Sequence, residues 1–153
     1  MQLISLKDTQ HLAHLLVDQL PAGALLVLSG ELGTGKTTLT QYIAAAMGSH
    51  AHVSSPTYTL IHEYPSELGL LVHMDAYRFV DSPAGVASSL EHMGLDDYLE
   101  RARLVVVEWG GALLEDYPDA FALYLEQGNG VRQASLRHNN VTLELTAMTS
   151  RTT

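Results

Sequence analysis

Two glycines, a lysine and a threonine are the residues of this chain most plainly arranged for chemistry. Residues 30–37 read GELGTGKT, which satisfies the pattern G-x-x-x-x-G-K-[ST]. Gly30 and Gly35 let the backbone curl, so that the N–H groups of Glu31, Leu32, Gly33, Thr34 and Gly35 face one anion. Lys36 then reaches the β- and γ-phosphates, and the Thr37 hydroxyl ligates magnesium. Thr38 follows in the first turn of a helix whose dipole and free N–H groups favour negative charge. The expected ligands are ATP and Mg2+.

Two carboxylates close apolar runs. Residues 70–74 (LLVHM) deliver Asp75, and residues 104–107 (LVVV) deliver Glu108. In open α/β sheets ligands bind beyond the carboxyl ends of the strands, so both acids are expected to face the phosphates. One such acid holds magnesium in P-loop enzymes, directly or through water, and another orients the attacking water. Residue type and spacing do not allot these roles between Asp75 and Glu108. Ser55-Pro56-Thr57 lies where a loop closes over the γ-phosphate, and a hydroxyl such as that of Thr57 is what responds to it in switch loops. Arg78, three residues after Asp75, is placed to pair with an acid or a phosphate. Among the eight histidines, His11 and His14 are one helical turn apart, and His50 and His52 form a short tract. Neither pair has the third and fourth ligands that zinc requires, so no zinc site is expected.

These residues need a scaffold. Asp8-Thr9 precede Leu12, Leu15, Leu16 and Leu20, the start and spacing of a helix that Pro21-Ala22-Gly23 breaks. Residues 24–28 (ALLVL) are a continuous apolar run, as expected of a strand buried on both faces. A helix over 36–47 follows the glycine loop and closes at Gly48. Residues 57–64 look like a strand, 70–74 and 104–107 like further buried strands, and 86–101 like one or two short helices after a turn at 81–85. After Tyr117-Pro118 the pattern changes. Residues 121–126, 131–137 and 141–146, separated by turn signals such as Gln127-Gly128-Asn129-Gly130, read as antiparallel strands. The expectation is one α/β domain over 1–153 with its last residues frayed. It is a three-layer P-loop sandwich with a mixed, largely parallel sheet and antiparallel C-terminal strands.

Composition narrows the function classes. The chain of 153 residues has no cysteine, which excludes disulfides, cysteine zinc sites and a cysteine nucleophile. With no signal-peptide pattern at the N-terminus and no run long enough to span a bilayer, a cytoplasmic protein with no membrane contact is expected. The net charge is −9, and the only lysines are Lys7 and Lys36. Lys and Arg are what grip a phosphate backbone, so strong direct binding of nucleic acid is not expected. An acidic surface suits a basic protein partner.

Four segments in this order, GELGTGKTT, SPTYTL, HMDAYR and VVVEW, resemble the TsaE (YjeE) family over most of the chain, from Thr9 to about Arg132. Residues 90–94 (LEHMG) also match. These are small bacterial P-loop ATPases of the tRNA threonylcarbamoyladenosine pathway. The resemblance implies ATP hydrolysis that supports modification of the adenosine beside the anticodon, with TsaD and TsaB as partner proteins. It implies magnesium held by Thr37 and Glu108, with Asp75 acting from behind that shell or aiding the attack. It also implies that Thr9 lies near the nucleotide and Arg132 near the base. Ala76 stands where the family usually has Leu, and Ser88-Ser89 where it usually has acids.

Two other readings use the same loop. A small-molecule kinase would need an acceptor site and arginines covering the transferred phosphoryl group, and no arginine-rich lid segment is present. A nucleotide-sensing module without significant turnover is separated from an ATPase only by measured hydrolysis. A GTPase is disfavoured by the absence of an Asn-Lys-x-Asp segment.

Overall fold

The computed structural model describes residues 1–31, 33–50, 53 and 60–145. Leu32, the expected Ser55–Thr57 loop with Thr57, and the C-terminal tail lie outside the described residues. Among the described residues eight strands form one sheet: β1 (Gln2–Leu3), β2 (Ala24–Ser29), β3 (Ile61–Ser66), β4 (Gly69–Asp75), β5 (Leu104–Glu108), β6 (Phe121–Gly128), β7 (Val131–His138) and β8 (Val141–Leu143). The helices are α1 (Leu6–Gln19), α2 (Lys36–Ala46), α3 (Gly85–His92), α4 (Leu95–Arg101) and α5 (Leu113–Asp116). The strand order is β1-β7-β6-β2-β5-β4-β3, with β8 also paired to β7.

The sheet is mixed, as expected. Strands β6, β2, β5 and β4 run parallel, and β3 and β7 flank them antiparallel. One detail differs from the sequence reading. β6 is antiparallel to β7, but its other edge pairs parallel with β2. β1 and β8 share the far edge of β7, covering Arg132–Gln133 and Leu136–His138 respectively.

Alternation along the central strands feeds two cores. Leu26, Leu28, Leu71, Leu104 and Val106 pack with Leu12, Leu16, Leu39 and Ile43 of α1 and α2. Leu25, Val27, Val72, Met74, Val105 and Val107 pack with Val86, Leu90, Leu95 and Leu113 of α3, α4 and α5. Both faces of the sheet are therefore covered, which is why these strands read as unbroken apolar runs. His73 and Asp75 alternate with Val72 and Met74, and Glu108 with Val107. All three therefore lie on the face that carries α2.

α1 starts two residues before the expected Asp8-Thr9 boundary. Asp8 is not the cap itself: its carboxylate accepts the N–H of Ile4 at 2.8 Å and of Ser5 at 3.1 Å. This is the back-reaching acid of a capping arrangement, with Ser5 at the cap. At the other end Arg103 donates to the carbonyls of Val17 and Leu20, oxygens the helix end leaves unpaired, and to that of Pro21 just beyond it. The strand expected over 57–64 begins at Ile61 among the described residues, directly after Leu60, which has φ 67°.

Candidate functional site

The site lies where the parallel strands end. Register sets Asp75 beside Glu108, and Glu108 beside Leu28, so both acids sit level with the last residues before the glycine loop. They are 6% and 4% exposed. Lys36, the first residue of α2, is 6% exposed, and its Nζ donates to the Gly30 carbonyl at 2.5 Å. The same Nζ lies 4.3 Å from the centre of the Trp109 ring, which meets Tyr77 edge-on at 5.1 Å. Trp109 itself holds φ 62°, a left-handed conformation uncommon for a bulky residue, at the turn that follows Glu108. An open cleft of about 660 Å³ runs past Gly30, Lys36, Val80 and Trp109.

The loop backbone is fitted to its surroundings. Gly30 has φ 156°, and a Cβ there would stand 2.5 Å from the Leu125 carbonyl oxygen. Gly35 has φ 97°, and a Cβ there would stand 2.6 Å from Arg132 Nη1. Both positions therefore require glycine. Thr34 is buried and donates its hydroxyl to the Glu31 carbonyl at 2.8 Å, closing the turn. Glu31 and Gly33 are exposed, and Thr37 and Thr38 are half-buried in the first turn of α2. Arg132 donates to the Thr34 carbonyl at 3.4 Å and to the Thr9 hydroxyl at 3.3 Å. The structure thus gathers Thr9, Arg132 and the phosphate loop on one side, and Lys36, Asp75 and Glu108 on the other. Leu32 and Thr57 are outside the described residues. His11, His14 and His50 are exposed, and no group of three metal-ligating side chains occurs among the described residues.

Burial governs the electrostatics. It lowers the Lys36 ammonium from its ordinary range, and Glu108 and Asp75 oppose that shift. It raises the Asp75 carboxyl, a shift countered by the Tyr77 N–H bond at 2.9 Å and reinforced by Glu108. The available donors are hydroxyl and carboxylate oxygens. That set suits magnesium, which takes one or two protein oxygens and completes its shell with phosphate and water, rather than zinc.

Residues 3–135 match the profile of the family described as "Threonylcarbamoyl adenosine biosynthesis protein TsaE". The chain belongs to the TsaE family. The tRNA threonylcarbamoyladenosine biosynthesis protein TsaE of Streptomyces coelicolor is 38% identical over 137 residues, 87% of this chain and 88% of that protein. The TsaE of Mycobacterium tuberculosis is 44% identical over 113 residues, 71% of this chain and 67% of the relative. Among solved structures, that of Bacillus subtilis YdiB superposes with a TM-score of 0.73 at 27% identity, covering 99% of this chain and 93% of that one. Family and fold agree. No helix among the described residues is long and apolar enough to cross a membrane.

One residue in this TsaE family site was quoted in a motif but given no role from the sequence. His73, fully buried, brings Nε2 to 2.6 Å from Glu108 Oε2. The H-x-D spacing carries the signal. Residues two apart on a strand share a face, so His73 lies under the same site as Asp75.

The raised Asp75 carboxyl makes a stability prediction. A proton binds Asp75 more tightly in the folded chain than in the unfolded one. Its contribution to stability is therefore most favourable below the ordinary Asp range and is lost as pH rises through the folded value. Asn is isosteric and can still accept the Tyr77 N–H. Asp75→Asn should raise the melting temperature by a few degrees at pH 7, and the gain should vanish at pH 3. Thermal unfolding at the two pH values checks this, and an unchanged or lower midpoint at pH 7 contradicts it.

Proposed function

We propose that this chain is a magnesium-dependent ATPase of the cytoplasm. It supports threonylcarbamoyl modification of the tRNA adenosine next to the anticodon by acting on a TsaB–TsaD complex. The observation that carries this reading is the placement of buried Lys36 at the head of α2, between the Gly30 turn and the strand-end acids Asp75 and Glu108. In a TsaE family chain that arrangement has phosphate as its natural ligand.

The backbone of residues 31–35 receives the phosphates, and Lys36 neutralises their β- and γ-oxygens. Thr37 and Glu108 would hold magnesium, which when bound would supply charge neutralisation for phosphoryl transfer. Asp75 orients the attacking water and accepts its proton, a task suited to a carboxyl whose proton affinity burial has raised. Water oxygen bonds to the γ-phosphorus, the bond to the β-phosphate oxygen breaks, and ADP and phosphate leave. Thr9 and Arg132, joined to each other and to Thr34, hold the nucleoside side of the ligand.

The acidity of the chain points to a protein rather than RNA as its immediate target. A domain of charge −9 whose Lys36 is engaged with phosphate has little cation left to release counterions from tRNA. Hydrolysis should be slow for the isolated chain and faster with the partner proteins. Phosphate release with purified TsaB and TsaD, alone and together, tests this. Magnesium-dependent release raised at least about tenfold by the pair, in the range of ordinary allosteric coupling, supports the proposal. Transfer of phosphate to an added metabolite would instead favour a kinase.

A further inference from the structure

The carboxylate of Glu108 is held from below by a residue that the proposed chemistry does not yet use. His73 is 0% exposed, and its Nε2 lies 2.6 Å from Glu108 Oε2. Its other ring nitrogen, Nδ1, is buried with no hydrogen-bond partner among the described residues. A proton on Nε2 gives the buried carboxylate a donor at hydrogen-bond distance.

We infer that His73, donating from Nε2 to Glu108 Oε2, is the positioning residue for Glu108. It claims Oε2, fixes the carboxylate plane at the end of β5, and leaves Oε1 unengaged by the ring. His73 touches neither nucleotide nor metal in this scheme and acts through Glu108. The inference rests on the role proposed above for Glu108, but the proton on Nε2 is measurable without it. Hydrogen-bond partners of metal-ligating carboxylates orient them, and their loss typically costs about 10- to 100-fold in metal affinity or activity.

The test has two arms on the full chain. Long-range 1H–15N correlation of the magnesium-free, nucleotide-free protein at pH 7, with His73 assigned by its loss in His73→Gln, should show a proton on Nε2. A ring with no proton on Nε2 overturns the inference whether or not the protein hydrolyses ATP. In the second arm, His73→Leu should weaken magnesium activation or lower kcat by about 10- to 100-fold. Nucleotide affinity measured without magnesium should stay within about twofold, and His73→Gln, which keeps an N–H donor, should recover most of the loss. Placed in a Glu108→Gln background, His73→Leu should have no further effect, because its effect passes through the carboxylate. An equal loss in both backgrounds would make His73 a packing residue only. Absence of turnover in the unsubstituted protein with its partners would overturn the ATPase reading while leaving the Nε2 proton result standing.

Discussion

Lys36→Ala is expected to abolish magnesium-dependent ATP turnover and to weaken ATP binding by about 100-fold, since charge-assisted bonds to phosphate contribute roughly 2–3 kcal/mol. Its ammonium is the only lysine charge at the loop; Lys7, the other lysine, is in α1. The fold should survive the change. Burial lowers the Lys36 ammonium, so a charged Lys36 adds least to stability at pH values well below its ordinary range, and its removal at neutral pH relieves a desolvation cost. What is lost structurally is its bond to Gly30 and its position over Trp109. Unchanged far-ultraviolet circular dichroism with no heat of ATP binding by calorimetry is the expected pair of results. Normal turnover in Lys36→Ala would remove the phosphate loop from the account.

Glu108→Gln should separate binding from chemistry. The change is isosteric, and the His73 N–H can still donate to the amide oxygen, so the strand end keeps its shape. What disappears is the negative charge to which the proposed mechanism assigns magnesium. Turnover should fall by about 10²- to 10⁴-fold, the scale at which a carboxylate in a hydrolytic site contributes, and the magnesium concentration for half-activation should rise. ATP affinity without magnesium should hold or improve, because an acid near the phosphates has been neutralised. Asp75→Asn should also lower turnover, but with its magnesium requirement unchanged. If Asp75→Asn is the variant that loses magnesium affinity, the two acids exchange roles. If neither changes turnover, both are bystanders.

The parts of this site that were legible in the sequence are those set by local rules. A five-residue apolar run, a glycine loop and a helix start are contiguous, so the 30–37 segment could be placed without knowing its neighbours. Asp75 and Glu108 were legible because each ends a strand buried on both faces, and parallel pairing then brings the ends level. Non-local choices were harder to read. The turn at 127–130 identifies the β6–β7 hairpin, but nothing in β6 states that its other edge joins β2 in parallel. Thr9 and Arg132 meet across 123 positions of sequence, and only the family resemblance associated them with one ligand. Trp109 could be seen to follow Glu108, but its left-handed backbone and its place over Lys36 depend on the packed turn. The start of α1 was misplaced because Asp8 fits two roles in a helix start, and its bonds to Ile4 and Ser5 select the inner one.

The most direct test of the central claim is reconstituted modification of tRNA from purified TsaB, TsaD, threonylcarbamoyl donor, ATP and this chain, followed as modified adenosine per TsaD. With the unsubstituted chain, product should pass well beyond one equivalent per TsaD. With the chain omitted, or supplied as Lys36→Ala, it should stop near one equivalent. Repeated turnover at full rate without this chain would contradict the proposed function.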